Sequence, residues 1–232
     1  MKVLIAGAGI GGCAVGWALR RKGFEVVLFE KSKVIAEVGA GISLWSNATR
    51  VLRLLELGHI VERLSTPMVD GGLFSHLGKR ISKNSMELLT QRYKDPNIIV
   101  HRADLLEELL KAVGSENVRL DSPCIGASQE GDKVTIKLAS GEEIEGDVLI
   151  GADGIKSAVR KSLGFPIKMR YAGYNGLRAI MNLADSGLSK EGDFWGIYMG
   201  EGRHFGITPL TENRGYWFIT ENSPPNKRIR LV

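Results

Sequence analysis

Three glycines near the start of the chain have the spacing of a loop that binds a diphosphate. Gly7, Gly9 and Gly12 follow a short apolar strand, Lys2 to Ala6, and precede a stretch that is typical of a helix through Arg21. In such a loop the first glycine permits a tight turn, the second lets backbone approach the phosphates, and the third lets the helix pack on the strand. Free amides at the helix N-terminus then face the phosphates. The sequence therefore predicts a dinucleotide site.

An acidic residue follows this loop at the distance that ribose binding requires. Glu30 comes 18 residues after Gly12, at the end of a second apolar strand, Phe24 to Glu30. A carboxylate there accepts hydrogen bonds from both ribose hydroxyls and disfavours a 2′-phosphate. The alternative is a solvated charge at a strand end. We expect the nucleotide to be FAD or NAD rather than NADP.

For two other charged residues, Arg102 and Asp153, the sequence leaves two roles open. Arg102 precedes a periodic helix that starts near Ala103, where a cation is unfavourable unless an anion lies between it and the helix dipole. The alternative is an arginine that turns into water. Asp153 lies before a predicted helix, 155–163, and either caps that helix or binds a cofactor hydroxyl.

Other classes of site are disfavoured because their motifs are missing. The four histidines lack metal-ligand spacing, and the chain has neither HExxH nor CxxC, so no metal is expected. No GxSxG motif supplies a nucleophile for acyl transfer. Gly126 and Gly131 have P-loop spacing, but Asp132 and Lys133 follow them, which indicates a hairpin turn. No side chain is assigned a catalytic role.

The elements that would position these residues follow from apolar periodicity and turn residues. Ten of the 16 aromatic residues lie after residue 164 in strand-like runs, which favours a sheet whose face is either a core or a pocket for a flat substrate. The remaining predicted elements are a helix from Ser46 to Gly58, extended segments in 67–81 around Leu77-Gly78, a strand at Ile98 to Val100, a helix ended by Gly114, a β-meander around Lys133 to Leu138, and a strand at Asp147 to Ile150.

Charge and cysteine content limit the partners and the compartment. The net charge is +5, and the basic residues are scattered except for Lys227, Arg228 and Arg230, so we expect anionic small molecules rather than nucleic acid as ligands. Two cysteines, Cys13 and Cys124, do not make a disulfide framework, which favours the cytoplasm.

The uncharged N-terminal stretch resembles a membrane span or a signal peptide only superficially. Five of its 17 residues, Val3 to Leu19, are glycine, and their spacing indicates a strand, a turn and a helix instead.

Taken together, these segments resemble the FAD-dependent aromatic hydroxylases, single-component flavoprotein monooxygenases related to para-hydroxybenzoate and salicylate hydroxylases. The similarity runs from Met1 to about Pro224. The segments that carry it are Gly7 to Gly12, Glu30-Lys31, Gly39 to Ile42 before Asn47-Ala48, His101 to Leu105, Asp147 to Gly154 with Ser157 and Arg160, Tyr171 to Tyr174 with Arg178, and Gly206 to Leu210.

This resemblance implies an α/β fold with two domains. Residues 1–66 and 98–165 would form a discontinuous, Rossmann-like FAD-binding domain, and residues 67–97 and 166–232 a β-sheet-rich substrate domain. The implied reaction is hydroxylation of a small aromatic or polycyclic substrate with NADH or NADPH and O₂, through a flavin hydroperoxide, with no nucleic-acid or membrane partner. The alternatives are an FAD-dependent dehydrogenase or reductase of the same superfamily and a non-catalytic FAD-binding fragment.

The resemblance also implies roles for individual residues. The glycine loop would face the FAD pyrophosphate and Glu30 the adenosine ribose, while Arg102 would reach the phosphate and ribityl region, which favours the presence of an anion beside it. Cys124 stands where backbone contacts the adenine, and Asp153 would serve both FAD and reduced nicotinamide. Gly39 to Ile42 would lie along the flavin edge. The residues implied in cofactor binding are Gly7, Gly9, Ile10, Gly11, Gly12, Glu30, Lys31, Gly41, Ile42, Arg102, Cys124 and Asp153, and Arg178 is implied in substrate binding.

One part of the family pattern is missing from these 232 residues. The second flavin fingerprint, an arginine followed later by GDAAH, a proline and a GxG turn, does not occur. In the family this segment binds the pyrophosphate and ribitol. The resemblance therefore implies a fragment or a naturally truncated form, whose flavin site would be open to water, and we expect this chain alone to hydroxylate poorly.

Overall fold

The chain forms two compact units in the computed structural model, which describes residues 1–35, 40–68, 71–83, 85–188 and 195–225. The first unit comprises Met1–Glu37 and Leu105–Met169, and the second comprises Val38–Asp104 and Arg170–Val232. Residues 38–66 and 98–104, which the sequence assigns to the FAD-binding domain, belong to the second compact unit. The predicted domains are defined by whether they bind FAD or substrate, whereas these units are defined by contacts between residues. The domain assignment therefore stays a prediction.

Both units combine short strands with short helices. The strands, in chain order, are β1 (Lys2–Ala6), β2 (Glu25–Phe29), β3 (Gly41–Leu44), β4 (Ser65–Pro67), β5 (Gly72–Ser75), β6 (Arg80–Lys83), β7 (Ile98–His101), β8 (Val118–Arg119), β9 (Cys124–Glu130), β10 (Lys133–Leu138), β11 (Glu143–Gly146), β12 (Val148–Gly151), β13 (Tyr174–Asn182), β14 (Gly196–Gly200), β15 (Arg203–Pro209) and β16 (Arg214–Asn222). The helices are α1 (Ile10–Arg20), α2 (Ser46–Leu54), α3 (Gly58–Arg63), α4 (Met86–Tyr93), α5 (Arg102–Val113) and α6 (Ala158–Ser162).

A parallel sheet and a meander form the core of the first unit. The sheet has the strand order β12-β1-β2-β8, and the meander has the order β11-β10-β9. Successive side chains of a strand point to opposite faces. On one face Leu4 and Phe29 pack with Ile136 of the meander, and on the other Leu28 lies under α1, where a Cβ atom at Gly16 would be 3.2 Å from its Cδ1. This is the α/β arrangement that the sequence predicts.

Most predicted elements of the first unit are confirmed within one or two residues. The bounds of β1 agree fully, α1 ends one residue early at Arg20, and the meander around Lys133–Leu138 is present. Gly23, with a φ of 82°, lies in the turn that ends α1. The uncharged N-terminal stretch therefore forms β1, a loop and most of α1. Among the described residues, no helix is both long and apolar enough to cross a membrane.

The predicted helix over 155–163 is too long. Only Ala158–Ser162 is helical, because Gly154 turns with a φ of 82° and the Ser157 hydroxyl caps the helix by accepting a hydrogen bond from the Arg160 amide at 3.0 Å.

Two sheets build the second unit. The larger has the order β13-β16-β15-β14-β5-β6, in which β14 and β5 are parallel and the other neighbours antiparallel, and the smaller has the order β3-β7-β4. The pairing register aligns Leu73, Ile197, Gly206, Phe218 and Arg178 in one row across five strands. Residues in such a row share one face of the sheet.

The prediction that Gly58 closes a helix is wrong. Helix α2 ends at Leu54, Glu56 makes the turn with a φ of 61°, and Gly58 is the first residue of α3. A non-glycine residue takes the left-handed conformation here, so the glycine did not mark the helix end. Helix α4, capped by the Ser85 hydroxyl, was not predicted.

An ion cluster within the second unit joins the end of β7 and the start of α5 to the start of β16. Asp104 Oδ2 accepts a hydrogen bond from Arg214 Nη2 at 2.6 Å, and Asp104 Oδ1 lies 2.7 Å from Nδ1 of buried His101. Burial by itself raises the pKa of Asp104, but the hydrogen bonds from Arg214 and His101 outweigh it and lower the pKa below its ordinary value. The ionised carboxylate of Asp104 therefore stabilises the folded state.

We expect Asp104→Asn to lower the free energy of unfolding by roughly 1.5–3 kcal/mol at neutral pH, because it weakens hydrogen bonds to a charged, largely buried group. Since the native pKa of Asp104 is lowered, its contribution is complete above its unfolded pKa, about 4, and is lost as the pH falls through the native pKa. The deficit of the variant should therefore shrink in acid when both proteins are followed by denaturant unfolding.

Glu107→Gln is the matched control, because it removes an exposed ion pair with Lys111 and should leave stability nearly unchanged. A deficit of Asp104→Asn that stays constant down to strongly acid pH would contradict this account.

Candidate functional site

Backbone contacts at Gly7 and Gly12 leave no space for a side chain at either position of the glycine loop. Gly7 has a φ of 97°, and a Cβ atom there would lie 2.8 Å from the Ala152 carbonyl carbon. A Cβ atom at Gly12 would overlap the Gly7 carbonyl oxygen and lie 3.0 Å from its carbon. Gly7 and Gly12 therefore bring β1, the start of α1 and the turn after β12 together.

The N-terminus of α1 faces open space. Its N-cap is Gly9, which offers no side-chain hydrogen bond to the first turn, and no described atom lies within 4 Å of a Cβ atom at Gly9 or Gly11. The first amides of a helix have no partner inside the helix, and the helix dipole makes this end positive. The half-buried Ile10 and its glycine neighbours therefore present amides in the way that an anion requires.

Glu30 follows β2 and lies beside the glycine loop, where it contacts the backbone of Ala8. Its two oxygens accept hydrogen bonds from the amides of Ala8 and Ser32, both at 3.0 Å. Burial raises the pKa of Glu30, but these hydrogen bonds outweigh burial and, together with exposed Lys31, lower the pKa below its ordinary value. Glu30 is therefore an ionised acceptor beside the glycine loop at neutral pH.

Asp153 takes the capping role at α6 and keeps one carboxylate oxygen without a partner among the described residues. Its Oδ2 atom accepts hydrogen bonds from the amides of Ala158 at 2.6 Å and Val159 at 3.3 Å, at the start of α6. Its Oδ1 atom is buried and has no hydrogen-bond partner among the described residues. Because a buried polar atom normally has a partner, Oδ1 remains available to a ligand group.

Both cysteines of the first unit are free thiols. Cys13 donates to the Ala8 carbonyl oxygen at 3.2 Å, and burial, with the nearby Glu30 charge, raises its pKa to about 12. Burial also raises the pKa of Cys124. The backbone just before Cys124 lies beside Glu30, because the Ser122 amide donates to the Glu30 carbonyl oxygen at 2.8 Å.

Within the described ranges, no group of three or more His, Cys, Asp or Glu residues is arranged for a metal.

The other residues predicted to bind the cofactor lie in the second unit. Gly41 pairs with His101 and Ile42 with Val100 in the β3–β7 ladder, and the Arg102 amide donates to the Ala40 carbonyl oxygen at 2.8 Å. The structure therefore brings Gly41, Ile42 and Arg102 together. Arg102 is the first residue of α5, and its guanidinium makes no hydrogen bond or ion pair with the described part of the chain. Gly39 lies outside the described residues.

A cavity of about 270 Å³ lies in the second unit. Two glycines shape it by leaving room for rings: a Cβ atom at Gly41 would lie 2.7 Å from Cδ1 of Tyr216, and one at Gly206 would lie 2.8 Å from Cδ1 of Phe218. The lining residues are Gly41, Ser43, Trp45, Met68, Gly71, Gly72, Leu73, Met86, Ile99, Trp195, Gly196, Ile197, Ile207, Thr208, Tyr216 and Phe218.

The sequence did not identify the lining of this cavity. It predicted only that one face of an aromatic-rich sheet forms a core or a pocket, and the register gives both: Tyr216 and Phe218 face the cavity, while Trp217 packs with Leu183 in a core. Arg178, the residue implied in substrate binding, lies beside Phe218 on the cavity face but is exposed and does not line the cavity. Its role stays a prediction.

Comparisons with known proteins agree with this geometry. Residues 1–229 match the family described as FAD binding domain. The chain is 35% identical to an aurachin C monooxygenase/isomerase of Stigmatella aurantiaca, covering 100% of this chain and 61% of that protein. It is 34% identical to an FAD-dependent urate hydroxylase of Mycolicibacterium vanbaalenii, covering 97% of this chain and 57% of that protein.

A solved structure is similar over nearly the whole chain. The Klebsiella pneumoniae protein HpxO, solved with FAD and uric acid, superimposes with a TM-score of 0.89 at 30% identity, over 98% of this chain and 58% of that one. The chain thus spans about three fifths of the length of the relatives it matches.

The residues of the first unit fit FAD. A diphosphate requires amides without side-chain obstruction, and Gly9 and Gly11 leave that space open. A ribose requires an ionised acceptor at the end of the second strand, which Glu30 provides. The unpartnered Oδ1 of Asp153 adds an acceptor after β12.

We expect Gly9→Asp to weaken FAD binding at least about ten-fold, because it places a carboxylate where the diphosphate would lie. The variant should still fold, since Gly9 has an ordinary backbone conformation, φ −74° and ψ −177°, and its Cβ atom would meet nothing within 4 Å. Titration of flavin fluorescence measures the affinity, and circular dichroism checks the fold.

Ser140→Asp is the control, because it adds the same charge to the first unit in the turn between β10 and β11. Equal FAD affinity in Gly9→Asp and wild type would argue against this loop as the diphosphate site.

Proposed function

We propose that the protein is an FAD-dependent monooxygenase that hydroxylates an aromatic or polycyclic substrate with NAD(P)H and O₂. The chain belongs to the FAD binding domain family, and this proposal starts from that membership. The observation that carries this proposal is the arrangement of the glycine loop, Glu30 and Asp153 at the carboxyl ends of β1, β2 and β12. Ligands of open α/β sheets bind at this edge. The activities named for the two enzymes compared above support the reaction class.

Bound FAD would supply hydride acceptance from the nicotinamide and activation of O₂. The protein then needs to bind, to orient and to exclude water rather than to provide an acid and a base. The absence of a catalytic motif in the sequence is therefore compatible with this function.

Each predicted cofactor residue has a distinct role in this proposal. The amides around Gly9 to Gly12 bind the pyrophosphate, and Glu30 holds the adenosine ribose with Lys31 nearby. The backbone of Cys124 contacts the adenine. Asp153, through Oδ1, serves the cofactor and the reduced nicotinamide, and Oδ2 keeps the side chain fixed on α6.

Residues of the second unit have their own roles in this proposal. Arg102 binds the phosphate and ribityl region, and Gly41 with Ile42 borders the flavin ring. Because Gly41 also lines the cavity, this cavity is proposed as the place where the substrate ring is held. Trp45, Tyr216 and Phe218 would exclude water there. The proposed partners are a small aromatic substrate and O₂, with no nucleic acid and no membrane, in the cytoplasm.

We expect Asp153→Asn to slow reduction of bound FAD by NADH or NADPH by roughly ten-fold, because the amide keeps the helix contact through its oxygen but removes the charge. Stopped-flow absorbance at saturating FAD measures this rate. Asp132→Asn, in the exposed turn between β9 and β10, is the control and should match wild type. Equal reduction rates in wild type and Asp153→Asn would remove Asp153 from the proposed site.

Two further measurements separate this function from its alternatives. Oxygen consumption and incorporation of labelled O₂ into product distinguish a monooxygenase from a dehydrogenase or reductase that uses the same fingerprint. Protein that becomes colourless when added FAD is dialysed away would favour a non-catalytic fragment.

A further inference from the structure

The described residues that line the cavity do not share the positive net charge of the chain. The chain has a net charge of +5, yet every described residue that lines the cavity is uncharged. One side of the cavity is formed by Leu73, Ile197 and Phe218, which share one face of the large sheet. Trp45 and Met68 are among the other lining residues. A ligand in this cavity meets aromatic and aliphatic surface on several sides.

The polar side-chain groups in this lining are all neutral: the hydroxyls of Ser43, Thr208 and Tyr216 and the indole N–H groups of Trp45 and Trp195. None of the three hydroxyl side chains has a hydrogen-bond partner among the described residues. Thr208 and Tyr216 are register partners on β15 and β16, so their side chains leave the same face of the sheet. Such hydroxyls both donate and accept, which suits a ring hydroxyl or a ring carbonyl group.

An anion in this cavity would lose its hydration without a compensating charge from the described lining residues. Transfer of an ionised carboxylate into an apolar site is strongly unfavourable unless a cation is within contact distance. Arg178 is the nearest cation along the sheet row, next to Phe218, but it is exposed and outside the lining. A solvated guanidinium that does not contact the ligand contributes little, because water screens it.

The size of the cavity restricts the ligand further. About 270 Å³ lies just below the roughly 300–1,000 Å³ of pockets for drug-sized ligands. This volume suits one or two fused rings, and the rings of Tyr216 and Phe218 offer faces on which a flat molecule can stack.

We infer that the cavity selects its ligand by charge: it accepts a flat one- or two-ring compound that is uncharged at neutral pH and carries a hydroxyl or ring carbonyl, and it rejects ring carboxylates and anionic purines. This inference rests on the proposed function, because it takes the cavity as the substrate site. It also means that the chain's positive surface charge does not determine its substrate.

The test compares 2-naphthol with 2-naphthoate, which share a ring system and differ in charge at neutral pH, and includes urate as an anionic purine. Isothermal titration calorimetry on the purified 232-residue protein is expected to show 2-naphthol binding at least about ten-fold more tightly than either anion. Equal or tighter binding of 2-naphthoate or urate would overturn the inference, as would absence of 2-naphthol binding.

Three variants identify the cause of the charge selection. Ser43→Arg places a cation on an exposed lining residue and is expected to raise 2-naphthoate affinity about ten-fold without a similar gain for 2-naphthol, whereas Ser43→Gln, of similar length and uncharged, should not. Arg178→Gln tests the residue that the sequence implies in substrate binding: unchanged affinities of all three ligands would support the inference, and loss of anion binding in that variant would overturn it by showing that Arg178 serves an anionic substrate. If Ser43→Arg fails to fold by circular dichroism, the wild-type ratio and Arg178→Gln still decide.

FAD retention and NAD(P)H oxidation, measured on the same preparation, separate this inference from the function on which it rests. Protein that retains FAD and oxidises NAD(P)H but prefers 2-naphthoate overturns charge selection alone. Protein that prefers 2-naphthol but loses FAD on dialysis supports charge selection and overturns the proposed cofactor function.

Discussion

The contact between backbone segments at Gly7, Gly12 and Ala152 is the constraint on which the first unit depends. No side chain fits between the Gly7 carbonyl and the start of α1, or between Gly7 and the turn after β12. This contact sets the height of α1 above β1 and leaves its first amides facing open space. Glu30 and Asp153 acquire their positions from the same packing, because each follows a strand parallel to β1. The polar atoms of the site are thus fixed by backbone geometry.

The sequence predicts this region well because its signals are local. A strand, a loop and a helix that adjoin in the chain also adjoin in space, so the spacing of Gly7, Gly9 and Gly12 carries nearly all of the geometry. The meander is predictable for the same reason, since its turns lie between strands that pair directly. Gly58 shows the limit of local signals. A glycine after an apolar helix indicates a helix end, but in this chain Glu56 takes the left-handed turn and the glycine begins α3.

The cavity could not be predicted, because its lining comes from separate stretches of the chain that only the sheet register brings together. Leu73 lies on β5 and Ile197 on β14, and the parallel pairing of these two strands has no signature in either segment. The His101–Asp104–Arg214 cluster is similar. His101-Arg102-Ala103-Asp104 suggests a cofactor segment, but nothing near it in sequence indicates that Arg214 pairs with Asp104. The alternation of β16 does predict that Tyr216 and Phe218 share a face, and only the partner strands decide what that face contacts.

Glycine produces opposite chemistry in the two units by one physical means, the removal of a Cβ atom at a close approach. At Gly7 and Gly12 the neighbour that fills the space is backbone, so polar amides remain exposed to an anion. At Gly41 and Gly206 the neighbour is an aromatic ring, Tyr216 or Phe218, so the surface that remains is apolar. One chain can therefore carry both a loop whose helix amides suit a diphosphate and a cavity whose described lining residues are uncharged. Net charge, a property of the whole chain, is therefore a poor guide to what such a cavity accepts.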